Sequence, residues 1–350
     1  MASNQVILDT YVNEQIPKLK TVQRDDLESM FESFSPEEMI AESEMTAEEL
    51  VDTFRLSLIT ESLTDQYSET FQTGAYIYKA EWLKNYVVGF WEPDENGHAD
   101  PFKNVLISFG IDKYKIDREI SEARESVEYK AHHGSSLHPI ALTTYGTIQE
   151  CITDYWYELQ RNFVPHLSNT SKVINKVKAR EALHTIQFRE MTALQLEQDP
   201  SLMEEIIHTA VTFSMPSNHI PLVADLEAKT RYWIPRMNGR VLELLRRIVL
   251  NINHTLNDEQ QLGQLLMTYA STSERRFFRL IPNHIISTAL GQVKGGYGLV
   301  GQVALDQLGL STVCIDPQSN FIDQLTYRMR NVLKRWVTKR MQLEGYLHSP

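Results

Sequence analysis

One short pattern occurs twice in this chain, and it limits the possible folds more than any other feature. Glu95 is followed three residues later by His98, and Glu181 by His184. Each Glu-x-x-His pair comes after a lone glutamate: Glu61 lies 34 residues before Glu95, and Glu150 lies 31 residues before Glu181. On a helix, residues i and i+3 share a face, so both members of a pair can reach one point. Both lone glutamates accompany apolar stripes. Phe54, Leu58, Glu61 and Asp65 follow helical spacing, and Ile148, Cys151, Ile152, Tyr155 and Leu159 form a stripe around Glu150. Four helices would thus carry four carboxylates and two imidazoles into one interior. Such a concentration of charge is tolerated there only when paired or bound to metal.

The rest of the chain supports a helical reading. Thr46 with Glu49 three residues on is a capping-box start for a helix over about 46–67. Residues 79–109 read as helix despite Pro93 and Pro101, which predicts a kink or a π-bulge. Further helices are predicted over about 115–129, 141–163 and 171–198, the last stopped before Pro200, with others to about 280. Strand-like alternation is scarce, and 15 Gly and 13 Pro are too few for an all-β or disordered chain. Gly296, Gly298 and Gly301 have GxGxxG spacing but no preceding strand, so 291–301 reads as a connector and not a dinucleotide site. A basic amphipathic helix is predicted over about 318–343. The expected organisation is an acidic arm over 1–40, a helical metal domain over 41–285 and a C-terminal extension over 286–350.

Charge is distributed unevenly. Residues 1–70 hold sixteen acidic and four basic residues, which accounts for the whole net charge of −12. The remaining body is neutral, and nucleic-acid binding is not expected. Two cysteines, Cys151 and Cys314, exclude a disulfide scaffold and a Cys-rich metal site. The first residues show no basic-then-apolar leader, and no apolar run reaches the roughly 18–20 residues of a membrane helix. A cytoplasmic protein without a membrane span is expected.

The order Glu, Glu-x-x-His, Glu, Glu-x-x-His is the ligand set of ferritin-like carboxylate bundles that hold two irons or manganese ions. The fold class expected is therefore all-α: a ferritin-like four-helix di-iron bundle with additional helices. Hard carboxylate oxygens suit iron that changes oxidation state, and one imidazole per metal leaves coordination positions open. Four carboxylates against two Fe(II) also make a neutral site, which lessens the cost of burial. A third pair, Glu205 with His208, has no carboxylate helix about thirty residues upstream and is read as structural.

At these residues the sequence resembles the soluble acyl-acyl-carrier-protein desaturases. Asp94-Glu95-Asn96-Gly97-His98-Ala99-Asp100 is similar to that family's Glu-Asn-x-His-Gly-Asp segment. Leu58-Ile59-Thr60-Glu61 resembles its first ligand helix, and Glu150-Cys151-Ile152-Thr153 its third, which has a threonine three residues after the glutamate. Glu181-Ala182-Leu183-His184 matches the fourth, and Phe213-Ser214-Met215-Pro216 is similar to a Ser-Met-Pro stretch. The likeness spans about residues 40–280. Four positions depart from the pattern. Arg180 stands where the family has an acid before the glutamate, Gly97 replaces an arginine and Thr185 an acid, and the first tryptophan is Trp82.

The resemblance implies an O2-dependent oxidase that introduces a double bond into a fatty acyl chain tethered to a carrier protein. It implies two Fe ions held by Glu61, Glu95, His98, Glu150, Glu181 and His184, with Thr153 assisting O2 activation or proton delivery. It further implies an acyl carrier protein, a ferredoxin-like electron donor and a homodimer as partners. Alternatives are a di-iron hydroxylase or N-oxygenase on another substrate, or a non-enzymatic iron-binding paralogue. For an acidic carrier, Lys229, Arg231, Arg236 and Arg240 are the first docking candidates and the basic group from Arg328 to Arg340 the second.

Overall fold

The computed structural model describes residues 2–15, 35–126, 136–166, 168–213, 226–255, 270–282 and 321–343, with Met215, Met267 and Ile285 besides. Every regular element among them is helical. In chain order these are α1 (Ala2–Gln15), α2 (Pro36–Ala41), α3 (Ala47–Glu61), α4 (Thr64–Tyr78) and α5 (Glu81–Tyr86). A π turn, Val87–Trp91, joins α5 to α6 (Glu92–Glu95), followed by α7 (Ala99–Ser108) and α8 (Lys113–Ser126). Then come the two longest helices of the interior, α9 (Pro139–Arg161) and α10 (Asn169–Gln198). The remainder are α11 (Met203–Thr212), α12 (Leu226–Arg236), α13 (Val241–Thr255), α14 (Thr272–Arg279) and α15 (Phe321–Leu343).

Local chemistry sets several boundaries. α3 begins with the expected capping box, in which the Thr46 hydroxyl accepts from the Glu49 amide and the Glu49 carboxylate accepts from the Thr46 amide. It ends at Glu61, one turn earlier than the apolar stripe suggested. Asp65 therefore falls on α4, where it is exposed and paired with Arg124. The two prolines of the second motif fall in first turns, Pro93 in α6 and Pro101 in α7. Pro101 loses only an N–H that a first turn does not need, whereas Pro93 follows the π turn in a helix that continues unbroken from Glu81. The expected irregularity is the π turn, which lies one turn ahead of Glu95.

Two helix pairs form the interior: α9 packs along α10, and α3 along α7. α10 also contacts α7, which joins the two pairs, and α9 contacts α4. Gly146 lets α9 approach α10, since a Cβ there would lie 2.8 Å from the Phe188 ring. One apolar cluster contains Phe54, Phe102, Tyr157, Ile174 and Trp233; a second contains Leu63, Phe71, Trp91, Leu142 and Phe188. A third joins α11, α13, α14 and α15 to the ends of α9 and α10. The acidic arm is not separate at its start, because α1 buries Leu8 and Val12 in the second cluster. The Gly-rich stretch 291–301 lies outside the described residues. Among those described, no helix is long and apolar enough to cross a membrane.

Candidate metal centre

The six predicted ligands meet between the two helix pairs. Glu61 is the last residue of α3, Glu95 ends α6, and His98 stands just ahead of α7. Glu150 comes from the middle of α9, and Glu181 and His184 from α10. All six are buried. They divide into two groups, each with ligand atoms within 4.8 Å of one another. The first is Glu61, Glu95, His98 and Glu181; the second is Glu95, Glu150, Glu181 and His184. Glu95 and Glu181 belong to both, so the arrangement offers one terminal carboxylate and one imidazole per group plus two shared carboxylates.

The atoms converge without satisfying one another. His98 Nδ1 lies 2.9 Å from Glu95 Oε2 and 2.8 Å from Glu181 Oε1, and His184 Nδ1 lies 2.8 Å from Glu95 Oε1. Those separations are short enough for hydrogen bonds, yet His98 Nδ1, His184 Nδ1, Glu95 Oε1 and Glu181 Oε1 all fail the alignment that a hydrogen bond requires. Lone pairs aimed at a common point, and not at each other's protons, are what a cation needs. Buried polar atoms left without partners are rare and call for an explanation. This donor set fits a metal, and the cluster could hold one in each group.

Without a cation the carboxylates disturb one another. Burial pushes the Glu61 carboxyl well above the usual range, and the Glu181 and Glu95 charges push it further. Glu150 is raised for the same reasons in the same order. Burial works against charge on His98 and His184, but Glu95 and the neighbouring acceptors outweigh it and raise both well above an ordinary histidine. Burial also opposes ionisation of Glu95, and the two histidines overcome it and hold this carboxyl low. Both histidines and the two terminal carboxyls thus hold protons more tightly than usual, and binding a cation must displace them.

A ring of neighbours fixes the ligands. Thr153 Oγ1 donates to Glu181 Oε2 at 3.0 Å, while also lying 3.0 Å from the Glu150 carbonyl one turn back. Tyr157 donates its phenol to Glu61 Oε1, and Trp91 Nε1 donates to Glu150 Oε1 at 3.2 Å. His184 Nε2 donates to Asp94 Oδ2 at 2.9 Å, and Arg180 Nε reaches the same oxygen at 2.7 Å. Sequence reasoning missed Tyr157, Trp91 and Asp94 as neighbours of the site. A signal for Tyr157 was present, since Glu150, Thr153 and Tyr157 follow i, i+3, i+7 spacing on one helix face.

A cavity of about 230 Å³ lies against this ring. Thr60, Thr153 and Tyr157 form its wall toward the ligands, Leu56, Ile152, Trp156, Ile234 and Leu244 make its sides apolar, and Thr230 and Arg231 line it from α12. Glu205 and His208 belong to neither ligand group; Glu205 accepts from Ser136 Oγ at 3.1 Å, and His208 is buried on α11. Two of the proposed docking cations are paired with acids of the same chain. Lys229 Nζ is 3.4 Å from Asp52, and Arg236 Nη2 is 3.1 Å from Glu49, both acids of the negative N-terminal segment. Compared with models of known protein families and with curated proteins, the chain matches none.

Proposed function

We propose that this cluster holds two iron ions in a ferritin-like four-helix frame and that the protein is an O2-dependent oxidase of the acyl-carrier-protein desaturase kind. The observation that carries this reading is the pair of four-residue ligand groups sharing Glu95 and Glu181. Carboxylate-rich, imidazole-poor donors favour a hard redox metal over zinc or copper. The proposed partners, an acyl carrier protein, a ferredoxin-like electron donor and a second copy of the chain, follow from the motif resemblance alone.

Two ferrous ions, when bound, supply electrons to O2 and the oxidising power that an unactivated C–H bond demands. In the net reaction a –CH2–CH2– unit becomes –CH=CH–, and O2 takes its two hydrogens with two further electrons and two protons to leave as two waters. The chain's own residues supply position and protons. Glu61 and Glu150 would each hold one metal, and they are kept in place by Tyr157 and Trp91. Thr153 stands between the shared Glu181 and the cavity, so its hydroxyl can pass a proton inward without leaving its helix. The apolar walls keep water from the reacting carbons and accept an alkyl or aryl group against Thr60 and Thr153.

Cavity size favours a second reading of substrate. A cavity of about 150 Å³ lined by aliphatic and aromatic groups holds a benzene ring. By that measure the 230 Å³ here accepts on the order of nine carbon atoms. A compact substrate that is hydroxylated or N-oxygenated suits this space as well as a medium-length acyl chain does.

The test has two stages. Iron-loaded protein should contain about two irons per chain, the stoichiometry of a shared-carboxylate site. Turnover under 18O2 then separates the readings, since desaturation leaves no 18O in the organic product and oxygenation leaves one atom. Iron below one per chain after anaerobic loading would remove the di-iron reading.

A further inference from the structure

The two ligand groups have the same donor types, yet their surroundings differ. Asp94 directly precedes Glu95, and it serves the histidine of the opposite pair by accepting from His184 Nε2 at 2.9 Å. The corresponding residue before Glu181 is Arg180. By the same geometry it would face His98, but a guanidinium has no acceptor and cannot receive an imidazole proton. It turns to Asp94 instead, with Nε 2.7 Å from the oxygen that His184 uses. His98 Nε2 is left buried with no hydrogen bond among the described residues. One imidazole thus has its far nitrogen held by a charged partner that is itself clamped, and the other has no hydrogen-bond partner for its far nitrogen among the described residues.

We propose that Arg180 makes the two metal positions unequal: by clamping Asp94 against His184, it causes the position completed by Glu150 and His184 to fill first and bind more tightly than the position completed by Glu61 and His98. The inference rests on reading the cluster as a two-metal site. A carboxylate on the far ring nitrogen fixes the tautomer that offers Nδ1 to the metal, fixes the ring plane and makes the ligand more basic; losing such a partner typically lowers metal affinity about 10–100-fold. His184 has all three advantages and His98 has none. Glu95 and Glu181 contribute to both positions and cannot create the difference. Arg180 is a positioning residue: it acts through Asp94 and is itself no predicted ligand.

The experiment is a titration of metal-free, full-length protein with Mn(II), reading free Mn(II) by its electron paramagnetic resonance signal. Two steps are expected, separated by about tenfold or more in affinity. His98→Ala should keep the tight step and lose the weak one, whereas His184→Ala should lose the tight step. Asp94→Asn should weaken the tight step about 10–100-fold and leave the weak step unchanged. Arg180→Gln should weaken the tight step in the same direction while changing no ligand, and far-ultraviolet circular dichroism should show that each variant keeps its helices. Two equal steps in the unaltered protein, a tight step that survives His184→Ala, or equal weakening of both steps by Asp94→Asn would overturn the proposal. No Mn(II) binding at any concentration would instead remove the two-metal reading, and this inference with it.

Discussion

His98 and His184 lie face to face across the centre, with ring centroids 6.1 Å apart and planes inclined by only 21°. Between them stands Glu95, whose two oxygens each approach one Nδ1, at 2.9 and 2.8 Å. A carboxylate in that position belongs to both ligand groups. The pairing follows from chain geometry. Glu95 is three residues from His98 on its own segment, and α10 brings His184 to it from the other helix pair.

Ligand removal is the most direct check on this arrangement. Glu95→Ala and Glu181→Ala each remove an oxygen donor from both groups, so bound iron should fall well below that of either single-group change, Glu61→Ala or Glu150→Ala. Glu205→Ala should leave iron content unchanged, because Glu205 is tied to Ser136 and stands in neither group. Iron analysis of the loaded variants decides it. A Glu205 variant that loses iron while the Glu95 variant keeps it would falsify the site assignment.

Thr153→Val preserves shape and removes one hydroxyl. Its bond to Glu181 disappears, but all six ligands stay, so two metals should still bind. If the hydroxyl carries protons, turnover should drop by about 10²-fold, the lower end for general acid–base groups. O2 consumption should then exceed product. The hydroxyl also bonds to backbone carbonyls of α9, and a threonine that served only its own helix would leave both rate and coupling unchanged.

Tyr157→Phe tests how a terminal ligand is held. The phenol donates to Glu61 Oε1, and its loss leaves that buried oxygen without its donor. The metal position that uses Glu61 and His98 should weaken about 10–100-fold, as for other partners of metal ligands, and the His184 position should hold. Removing the donor from a buried acceptor should also cost about 1–3 kcal/mol of stability in the metal-free protein. Metal titration and denaturant melts measure the two effects separately.

Much of this centre was legible in the sequence because a metal site built on helices has a period. Glu-x-x-His reports one face at i and i+3, and lone glutamates on apolar stripes mark the facing helices. The six ligands could be named from spacing, whereas Thr153 was named only through the family resemblance. Neighbours contributed across helices were harder to find. Trp91 reaches Glu150, and Arg180 reaches Asp94, through the packing of distant segments that no local period records. The end of α3 was also misjudged, since the helical spacing continued to Asp65 while the helix stopped at Glu61. The prolines of the second motif were read correctly as a source of irregularity, and the π turn ahead of Glu95 is its physical form.

Acidity should control metal uptake, and the direction follows from the metal-free centre. Glu61, Glu150, His98 and His184 all hold protons to higher pH in the folded protein than in the unfolded chain. The histidine contribution to stability is complete below their unfolded value of 6.5 and is lost as pH rises through the raised folded values. The two raised carboxyls act in the same direction from 4.5 upward. Metal-free protein should therefore lose stability as pH climbs from about 6 to 8, because the folded state then binds more protons than the unfolded state. Bound cations replace those protons, so apparent Mn(II) affinity should rise roughly tenfold per pH unit for each proton displaced. The gain in melting temperature on adding Mn(II) should widen with pH; a constant or shrinking gain would contradict the displacement of those protons.

Cavity size sets the last expectation, which concerns substrate. The wall near Thr153 is closest to the ligands, and the 230 Å³ beyond it is bounded by Ile152, Trp156, Ile234 and Leu244. A chain of sixteen or eighteen carbons needs about twice the space estimated from a benzene-sized cavity, so its far end would extend beyond this cavity. Acyl groups or ring systems of on the order of nine carbons should give the highest kcat/KM, falling as length increases. Ile152→Trp should fill the cavity and shift the preference toward shorter substrates while leaving iron content unchanged, because Ile152 touches no ligand atom. One extra methylene in an apolar pocket typically changes discrimination by about 10–200-fold, which a competition assay across a length series resolves readily. Equal turnover from short to long chains, or an Ile152→Trp protein with the original preference, would place the reacting substrate somewhere other than this cavity.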